Sequence, residues 1–188
     1  MRRTQWIVVA FMIVAAPLAA QREVVFSLYG GGADHLADLH KAPNAWFMPG
    51  YSLGASIGVQ VTRYVAVHGD LTFTRNPVEG SGAIAGGDVN RFFYGAHAEV
   101  RYPLEPVTPF LFAGAGAVSI DQLGFDTFSP TTRAAVMYGA GAFLDIKGTP
   151  LSIMGEIKGL SYNWNMAGFD RTMVDVTYTA GLSYRLTF

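Results

Sequence analysis

Two histidine–acid pairs are the residues of this 188-residue chain whose types and spacing would suit catalysis. His68 stands two positions before Asp70, and His97 stands two positions before Glu99. A carboxylate can orient an imidazole that acts as general base for a serine nucleophile, as in acyl-transfer enzymes. The candidate nucleophiles are Ser52, Ser56 and Ser152. Because a triad is defined by geometry and not by spacing, acyl transfer stays an alternative at this point.

Metal ligands and cofactor motifs are sparse in the sequence. His35, Asp38 and His40 offer imidazole and carboxylate groups within one short segment, but the chain has no cysteine and no further ligand at a matching spacing. Its 13 Lys and Arg against 14 Asp and Glu give a net charge of −1, which provides no basic surface for nucleic acid. We therefore expect no metal, no cofactor, no catalytic residue and no nucleic-acid partner.

Apolar residues recur at every second position along most of the chain, and this period predicts β-strands with two different faces. The pattern is clearest at 173–188, where the even-numbered residues are apolar and most odd-numbered residues are polar. Eight strands are predicted, at 23–29, 51–61, 64–74, 91–101, 109–119, 133–145, 151–161 and 173–188. The facing of 109–119 is undecided because both of its faces are apolar, and that of 23–29 is only weakly indicated by Val24, Phe26 and Leu28.

Ten charged residues fall on the polar side of these strands, five acidic and five basic. They are Asp70, Arg91, Glu99, Arg101, Arg133, Asp145, Glu156, Lys158, Asp175 and Arg185. If the polar side lines a narrow lumen, these charges have to pair, because an unpaired buried charge costs several kcal/mol. Equal numbers of both signs favour a neutral charge network that closes the lumen, and a charged channel lining is the alternative.

The lengths of the connections alternate along the chain, which is typical of a membrane barrel. The predicted connections are 30–50, 62–63, 75–90, 102–108, 120–132, 146–150 and 162–172, so long and short segments follow one another in turn. Transmembrane barrels have long outer loops and short periplasmic turns. Most predicted strands also have the roughly 9–11 residues that a tilted transmembrane strand needs. The sequence therefore predicts an all-β protein, an eight-stranded antiparallel up-and-down transmembrane β-barrel.

A soluble barrel would place the apolar side inward, whereas a membrane barrel places it against lipid. Aromatic side chains stand at the strand ends of the apolar side, where a lipid–water boundary favours them. They are Tyr51, Phe73, Phe92, Tyr102, Tyr184 and Phe188. Small residues on the same side, such as Ala96 and Ala140, would leave a soluble core underfilled. These features favour the membrane barrel.

The first twenty residues have the three parts of a secretory signal peptide. Arg2 and Arg3 provide the positive charge, 6–16 is an unbroken apolar run, and small residues end at Ala20. We expect cleavage before Gln21, so that 1–20 is a signal peptide and 21–188 is the barrel domain.

The strand pattern and the terminal sequence Tyr184-Arg185-Leu186-Thr187-Phe188 resemble the eight-stranded outer-membrane β-barrels of the OmpA/OmpX type of Gram-negative bacteria. The resemblance implies residence in the outer membrane among lipid and lipopolysaccharide. It also implies that Tyr184, Leu186 and Phe188 form the signal read by the barrel-assembly machinery. Relatives that modify lipid A carry a His-x-Ser motif near the last strands, which this chain lacks, and we expect no peptidoglycan-binding domain after the last strand. A structural or surface-interaction role is favoured over a narrow porin-like channel, and both over a lipid A acyl-modifying enzyme.

The predicted outer loops contain aromatic residues that no core requires. They are Trp46, Phe47, Phe125, Phe128, Trp164 and Phe169. Exposed aromatics are common at sites of partner binding. They can equally pack on one another and close the mouth of the barrel, and the sequence leaves both interpretations open.

Overall fold

The computed structural model describes residues 23–36, 45–80, 87–123, 131–166 and 169–188 of the chain, so the predicted signal peptide lies outside the described residues. In these segments it has nine β-strands. They are β1 (Glu23–His35), β2 (Ala45–Phe47), β3 (Gly50–Thr62), β4 (Val65–Gly80), β5 (Asp88–Arg101), β6 (Val107–Leu123), β7 (Thr131–Asp145), β8 (Leu151–Met166) and β9 (Phe169–Thr187). No helix within these segments is long and apolar enough to cross a membrane.

Eight of the nine strands form one closed antiparallel barrel, which confirms the predicted fold. Neighbouring strands pair in the order β3, β4, β5, β6, β7, β8 and β9, and β1 closes the ring by pairing with both β3 and β9. The closing pair runs in register from Glu23 opposite Thr187 to His35 opposite Asp175. The short strand β2 is not part of the ring, because it pairs only with the far end of β4.

The strands are longer than the sequence pattern predicted, and the long connections are correspondingly shorter. β1 continues through Gly30, Gly31 and Gly32, which were expected to begin a loop. Glycine is required in this stretch because a Cβ on Gly31 would lie 1.9 Å from the Tyr178 carbonyl oxygen. β4, β6 and β8 likewise extend beyond their predicted ends. We call the end with the connections 63–64, 102–106 and 146–150 the turn end, and the opposite end the loop end.

The facing of the strands follows the period of two. In β9, for example, Met173, Asp175 and Thr177 are buried inside the barrel, whereas Tyr178 and Leu182 are exposed outside. The two strands whose facing the sequence did not decide obey the same rule. In β6 the inward residues are Phe110, Phe112, Val118 and Ile120, and in β1 they are Val25, Ser27 and Tyr29.

The outer surface of the barrel is an apolar band between two rings of aromatic side chains. Leu28 is 69% exposed and Leu111 is 65% exposed, although both lie in the middle of strands. Toward the loop end the outward aromatics are Tyr51, Phe73 and Phe92. At the turn end they are Tyr64, Tyr102, Tyr184 and Phe188. Such rings are typical of the two lipid–water boundaries of a membrane barrel.

Candidate functional site

The interior of the barrel is built around the buried ammonium group of Lys158. This side chain has no exposed surface, and its Nζ lies 3.0 Å from Asp70 Oδ2, 3.2 Å from Glu156 Oε1 and 2.9 Å from Tyr29 Oη. Thr72 Oγ1 accepts a further hydrogen bond from Nζ at 3.1 Å. Two carboxylates and two hydroxyls therefore surround one cation, which offsets the cost of taking that charge out of water.

Tyr29 and Thr72 hold the Asp70 carboxylate in place. Tyr29 Oη donates to Asp70 Oδ2 at 2.7 Å, and Thr72 Oγ1 donates to Asp70 Oδ1 at 2.7 Å. The Tyr29 ring also lies 4.5 Å below the Lys158 ammonium, as in a cation–π contact. The ring fits because Gly54 faces it, and a Cβ at that position would lie 2.2 Å from the ring.

A second charged group occupies the turn end of the lumen. Arg101 donates to Glu99 on its own strand and lies 4.0 Å from Glu23 on β1. Arg185 lies 3.5 Å from Glu23 and 3.0 Å from Asp145, whose Oδ1 also accepts a hydrogen bond from Ser152. Both guanidinium groups stack on the Phe143 ring, at 5.0 and 5.5 Å from its centre.

Two histidines lie between the Lys158 group and the turn end. His68 and His97 are directly opposite each other in the β4–β5 pairing, and their rings stack with centres 5.0 Å apart and nearly parallel planes. Arg101 Nη2 donates to His68 Nε2 at 3.1 Å, since a guanidinium has no acceptor. Glu99 Oε2 lies 3.8 Å from the same nitrogen.

A third polar group closes the lumen toward the loop end. The buried Asp175 carboxylate lies 2.5 Å from His35 Nδ1 and 3.4 Å from Arg91 Nε, and it accepts a hydrogen bond from Tyr162 Oη at 3.0 Å. Phe47, the last residue of β2, stacks on His35 at 4.1 Å and lies 5.1 Å below the Arg91 guanidinium.

Asn76 links this third group to the backbone around it. Its Oδ1 accepts from Arg91 at 2.9 Å, and its amide donates to the carbonyls of Ala33 and Met48 at 3.0 and 3.1 Å. These bonds tie β1, β4, β5 and the segment after β2 together across the mouth of the barrel.

Apolar side chains fill the space between the three polar groups. The large buried residues inside the ring include Phe93, Met137, Phe143, Met154 and Met173. Eight strands enclose a volume that side chains can just fill. The lumen of the described barrel is therefore a packed interior with three charged groups stacked along its axis.

Nine of the ten charged residues singled out from the sequence belong to these three groups, and Arg133 lies half-buried on β7 nearer the loop end. Glu23 was missed, because the facing of its strand was only weakly indicated, although it shares odd numbering with the inward Val25. The sequence also gave no sign that Lys158 reaches Asp70, since that contact crosses the barrel from β8 to β4.

Among the loop aromatics, only the Phe47 side chain lies within the described residues, and it packs into the barrel mouth. The side chains of Trp46, Phe125, Phe128, Trp164 and Phe169 lie outside them. The terminal motif lies at the C-terminal end of β9 and just after it, and its Tyr184 and Phe188 are exposed.

The structure does not assemble the serine–histidine–acid set that the sequence left open. In the described part of the chain no serine hydroxyl hydrogen-bonds to a histidine. Ser152 Oγ donates to Asp145, and the buried Ser52 Oγ has no hydrogen-bond partner. His68 and His97 contact Arg101, each other and Phe112 instead.

Several solved outer-membrane barrels have this architecture. Neisserial surface protein A superposes with a TM-score of 0.58 at 16% identity, covering 86% of this chain and 96% of that one. OprG from Pseudomonas aeruginosa gives 0.59 at 12% identity, with coverage of 89% and 96%. Ail, the attachment invasion locus protein of Yersinia pestis, gives 0.51 at 17% identity, with coverage of 88% and 99%.

No protein-family model matches the sequence, and no curated protein sequence does either. The likeness is thus one of structure. The chain is an all-β protein with the fold of the eight-stranded outer-membrane β-barrels, as the resemblance of its sequence implied.

Proposed function

We propose that this protein is an integral outer-membrane β-barrel with a closed lumen, and that it serves a structural or surface-interaction role through its loop end. The observation that carries this proposal is the contrast between the interior and the exterior of the barrel. The interior is packed around the fully buried Lys158, and the exterior is an apolar band bounded by aromatic rings.

The exterior supports residence in a membrane. Soluble monomers rarely expose a continuous apolar patch of more than a few hundred square ångströms. Here exposed Leu, Ile, Val, Phe and Tyr side chains encircle the whole barrel, and Leu53, Leu111, Ile157 and Leu182 are more than half exposed. Lipid chains would cover this band, whereas in water its apolar side chains would stay exposed to solvent.

We expect the two ends of the chain to direct export and insertion. Residues 1–20 would direct the chain out of the cytoplasm and be removed before Gln21. Tyr184, Leu186 and Phe188 would then be read by the barrel-assembly machinery, and Phe188 is 78% exposed at the turn end, where a partner can reach it.

The packed lumen favours surface interaction over transport. A solute would have to break the contacts of Lys158 and of Asp175 in turn to pass along the axis. The loop end, by contrast, carries aromatic residues such as Trp46 and Trp164, which suit contact with lipopolysaccharide or an extracellular partner. Ail is an attachment invasion locus protein by name, and its barrel is similar to this one.

The test is expression in a Gram-negative host with an epitope inserted after Asp126, in the segment between β6 and β7. We expect the protein in the outer-membrane fraction, resistant to carbonate extraction, with the epitope accessible on intact cells. An epitope inserted after Lys147, in the β7–β8 turn, should be inaccessible until the outer membrane is opened. Recovery in the soluble fraction, or the opposite accessibility of the two epitopes, would refute the proposal. A lipid A mass spectrum from the same cells should be unchanged, whereas altered acylation would favour the enzyme alternative.

A further inference from the structure

His68, His97 and Glu99 bring three metal-binding groups together inside the barrel. Each offers one ligand atom, and these atoms all lie within 4.8 Å of one another. The β4–β5 register creates the cluster, because His68 is directly opposite His97 and Glu99 is two residues further on the same face. All three side chains are buried.

The two buried imidazoles have ring nitrogens that can bind an ion. His97 is 8% exposed, and its Nδ1 is buried without any hydrogen-bond partner. His68 Nε2 accepts a hydrogen bond from Arg101, so this nitrogen carries a lone pair that becomes available to an ion once Arg101 moves away. A buried polar atom without a partner costs free energy, which a bound ion would recover.

The charge balance around the cluster favours a cation. Toward the turn end and the middle of the lumen there are five inward carboxylates: Glu23, Asp70, Glu99, Asp145 and Glu156. They face three inward cations: Arg101, Lys158 and Arg185. The excess is two negative charges, since 5 − 3 = 2, and a divalent ion would neutralise it.

We propose that His68, His97 and Glu99 form a binding site for a divalent transition-metal ion, with Zn²⁺ as the best fit. Two imidazoles and one carboxylate suit Zn²⁺, which takes such sets with a water molecule as fourth ligand. The two nitrogen ligands disfavour Mg²⁺ and Ca²⁺, which prefer oxygen. The sequence predicted no metal, because the two histidines are 29 positions apart and only the strand pairing joins them.

Binding requires a small rearrangement of the side chains around the cluster. Ligands about 2.1 Å from a tetrahedral ion lie about 3.4 Å apart, so side-chain rotation has to draw the three atoms together. Arg101 has to leave His68 Nε2 and yield part of Glu99 to the ion. Glu23 lies 4.0 Å from Arg101 and offers the guanidinium a second carboxylate. Gly58 lets the His68 ring lie close to β3, because a Cβ there would lie 2.3 Å from its Cε1.

The full barrel is refolded in detergent, stripped of metal with a chelator and titrated with ZnCl₂, and calorimetry measures the binding. We expect one Zn²⁺ per barrel with micromolar or tighter affinity. H68Q, H97Q and E99Q should each weaken binding at least about tenfold. The control is the double variant H35Q/H40Q, which removes the other two histidines of the chain and should bind like the unmodified protein. R101Q removes the competing cation and should strengthen binding severalfold.

A second readout observes the ion in the unmodified barrel and needs variants only for the assignment. In unmodified protein labelled with ¹⁵N-histidine, Zn²⁺ should shift the ring signals of His68 and His97 and leave those of His35 and His40 in place, with H35Q and H40Q supplying the assignment. The proposal is overturned if the unmodified barrel binds no Zn²⁺, if binding survives in folded H68Q or H97Q, or if it is lost in folded H35Q/H40Q. Weaker binding by folded R101Q would also contradict it.

Discussion

Lys158 Nζ lies 3.0 Å from Asp70 Oδ2, although β8 and β4 stand on opposite sides of the eight-stranded ring. The contact therefore spans the barrel interior. Because backbone pairing joins only neighbouring strands, this side-chain bridge braces the barrel in a direction that the sheet itself leaves unsupported.

We expect Lys158→Ala to lower the free energy of unfolding by about 3–5 kcal/mol, since Asp70 and Glu156 would be left as buried charges without their cation. Urea unfolding of the refolded barrel, followed by tryptophan fluorescence, measures the change. Lys147→Ala, in the exposed β7–β8 turn, is the matched control and should leave the midpoint unchanged. D70N/K158M should be less destabilised than K158M, because it leaves one buried carboxylate, Glu156, without its cation instead of two. Equal midpoints for Lys158→Ala and Lys147→Ala would mean that the bridge contributes nothing.

Arg101→Ala should also lower the free energy of unfolding, because Glu99 and Glu23 lose the cation that they share. The effect should be smaller, since Glu23 is partly exposed and keeps Arg185 as a partner. The same urea titration, run beside Lys158→Ala, ranks the two variants. The opposite ranking would place the stabilising centre at the turn end.

An arginine on the outer apolar band should lower the stability of the barrel in lipid. Ile57 is 51% exposed on the outside of β3, and Ile57→Arg or Val176→Arg should cost about 2–4 kcal/mol in lipid vesicles. Spin labels give the same information without a charge. A label at position 176 should be quenched by a lipid-soluble reagent, whereas one at Thr177, which is fully buried inside, should not. Quenching at 177 but not at 176 would reverse the assignment of lipid and lumen sides.

The unmodified barrel should carry no steady ohmic current in a planar bilayer. Its lumen is packed, and paired charges such as Arg91 with Asp175 cross its axis. Lys158→Ala serves as the comparison, because loss of the bridge can open a leak. Large, long-lived open states of the native sequence would favour the narrow channel over the closed lumen.

Gly54→Ala should destabilise the barrel by about 1–3 kcal/mol, since its Cβ would meet the Tyr29 ring at 2.2 Å and Tyr29 is fixed by Asp70 and Lys158. Gly155→Ala is the matched control, because a Cβ there meets nothing within 4 Å. Unfolding midpoints of the two variants in urea make the comparison. If Gly54→Ala were as stable as Gly155→Ala, the interior around Tyr29 would be looser than the contacts indicate.

Much of the fold could be predicted because a membrane barrel repeats one local rule. Polar residues such as Thr177 and Ser183 alternate with Tyr178 and Leu182, and each pair alone reports which side is inside. The rule could not decide the facing of β6, because Phe110 and Phe112 face an apolar sector of the lumen while Leu111 faces outward. Both faces of that strand are apolar, so its period carries no information.

The partners inside the lumen could be predicted only where they lie on one strand. Glu99 with Arg101, and Glu156 with Lys158, are two residues apart and were visible as neighbours. The Lys158–Asp70 bridge depends on how the strands are staggered around the whole ring. No short stretch of sequence contains that information. The strand ends were misjudged for a local reason, since the Gly30–Gly32 run has the composition of a turn but lies where backbones approach closely.

The pairing of β1 with β9 has a kinetic consequence. Glu23 meets Thr187 across 164 positions of sequence, so the ring cannot close until nearly the whole chain is available. Contacts so distant in sequence form slowly, because the entropy of the intervening chain is lost before they are gained. Until that moment β1 and β9 are open edges with unpaired backbone groups, which other chains can join. Successful biogenesis therefore depends on holding these two edges apart from other chains until they meet each other.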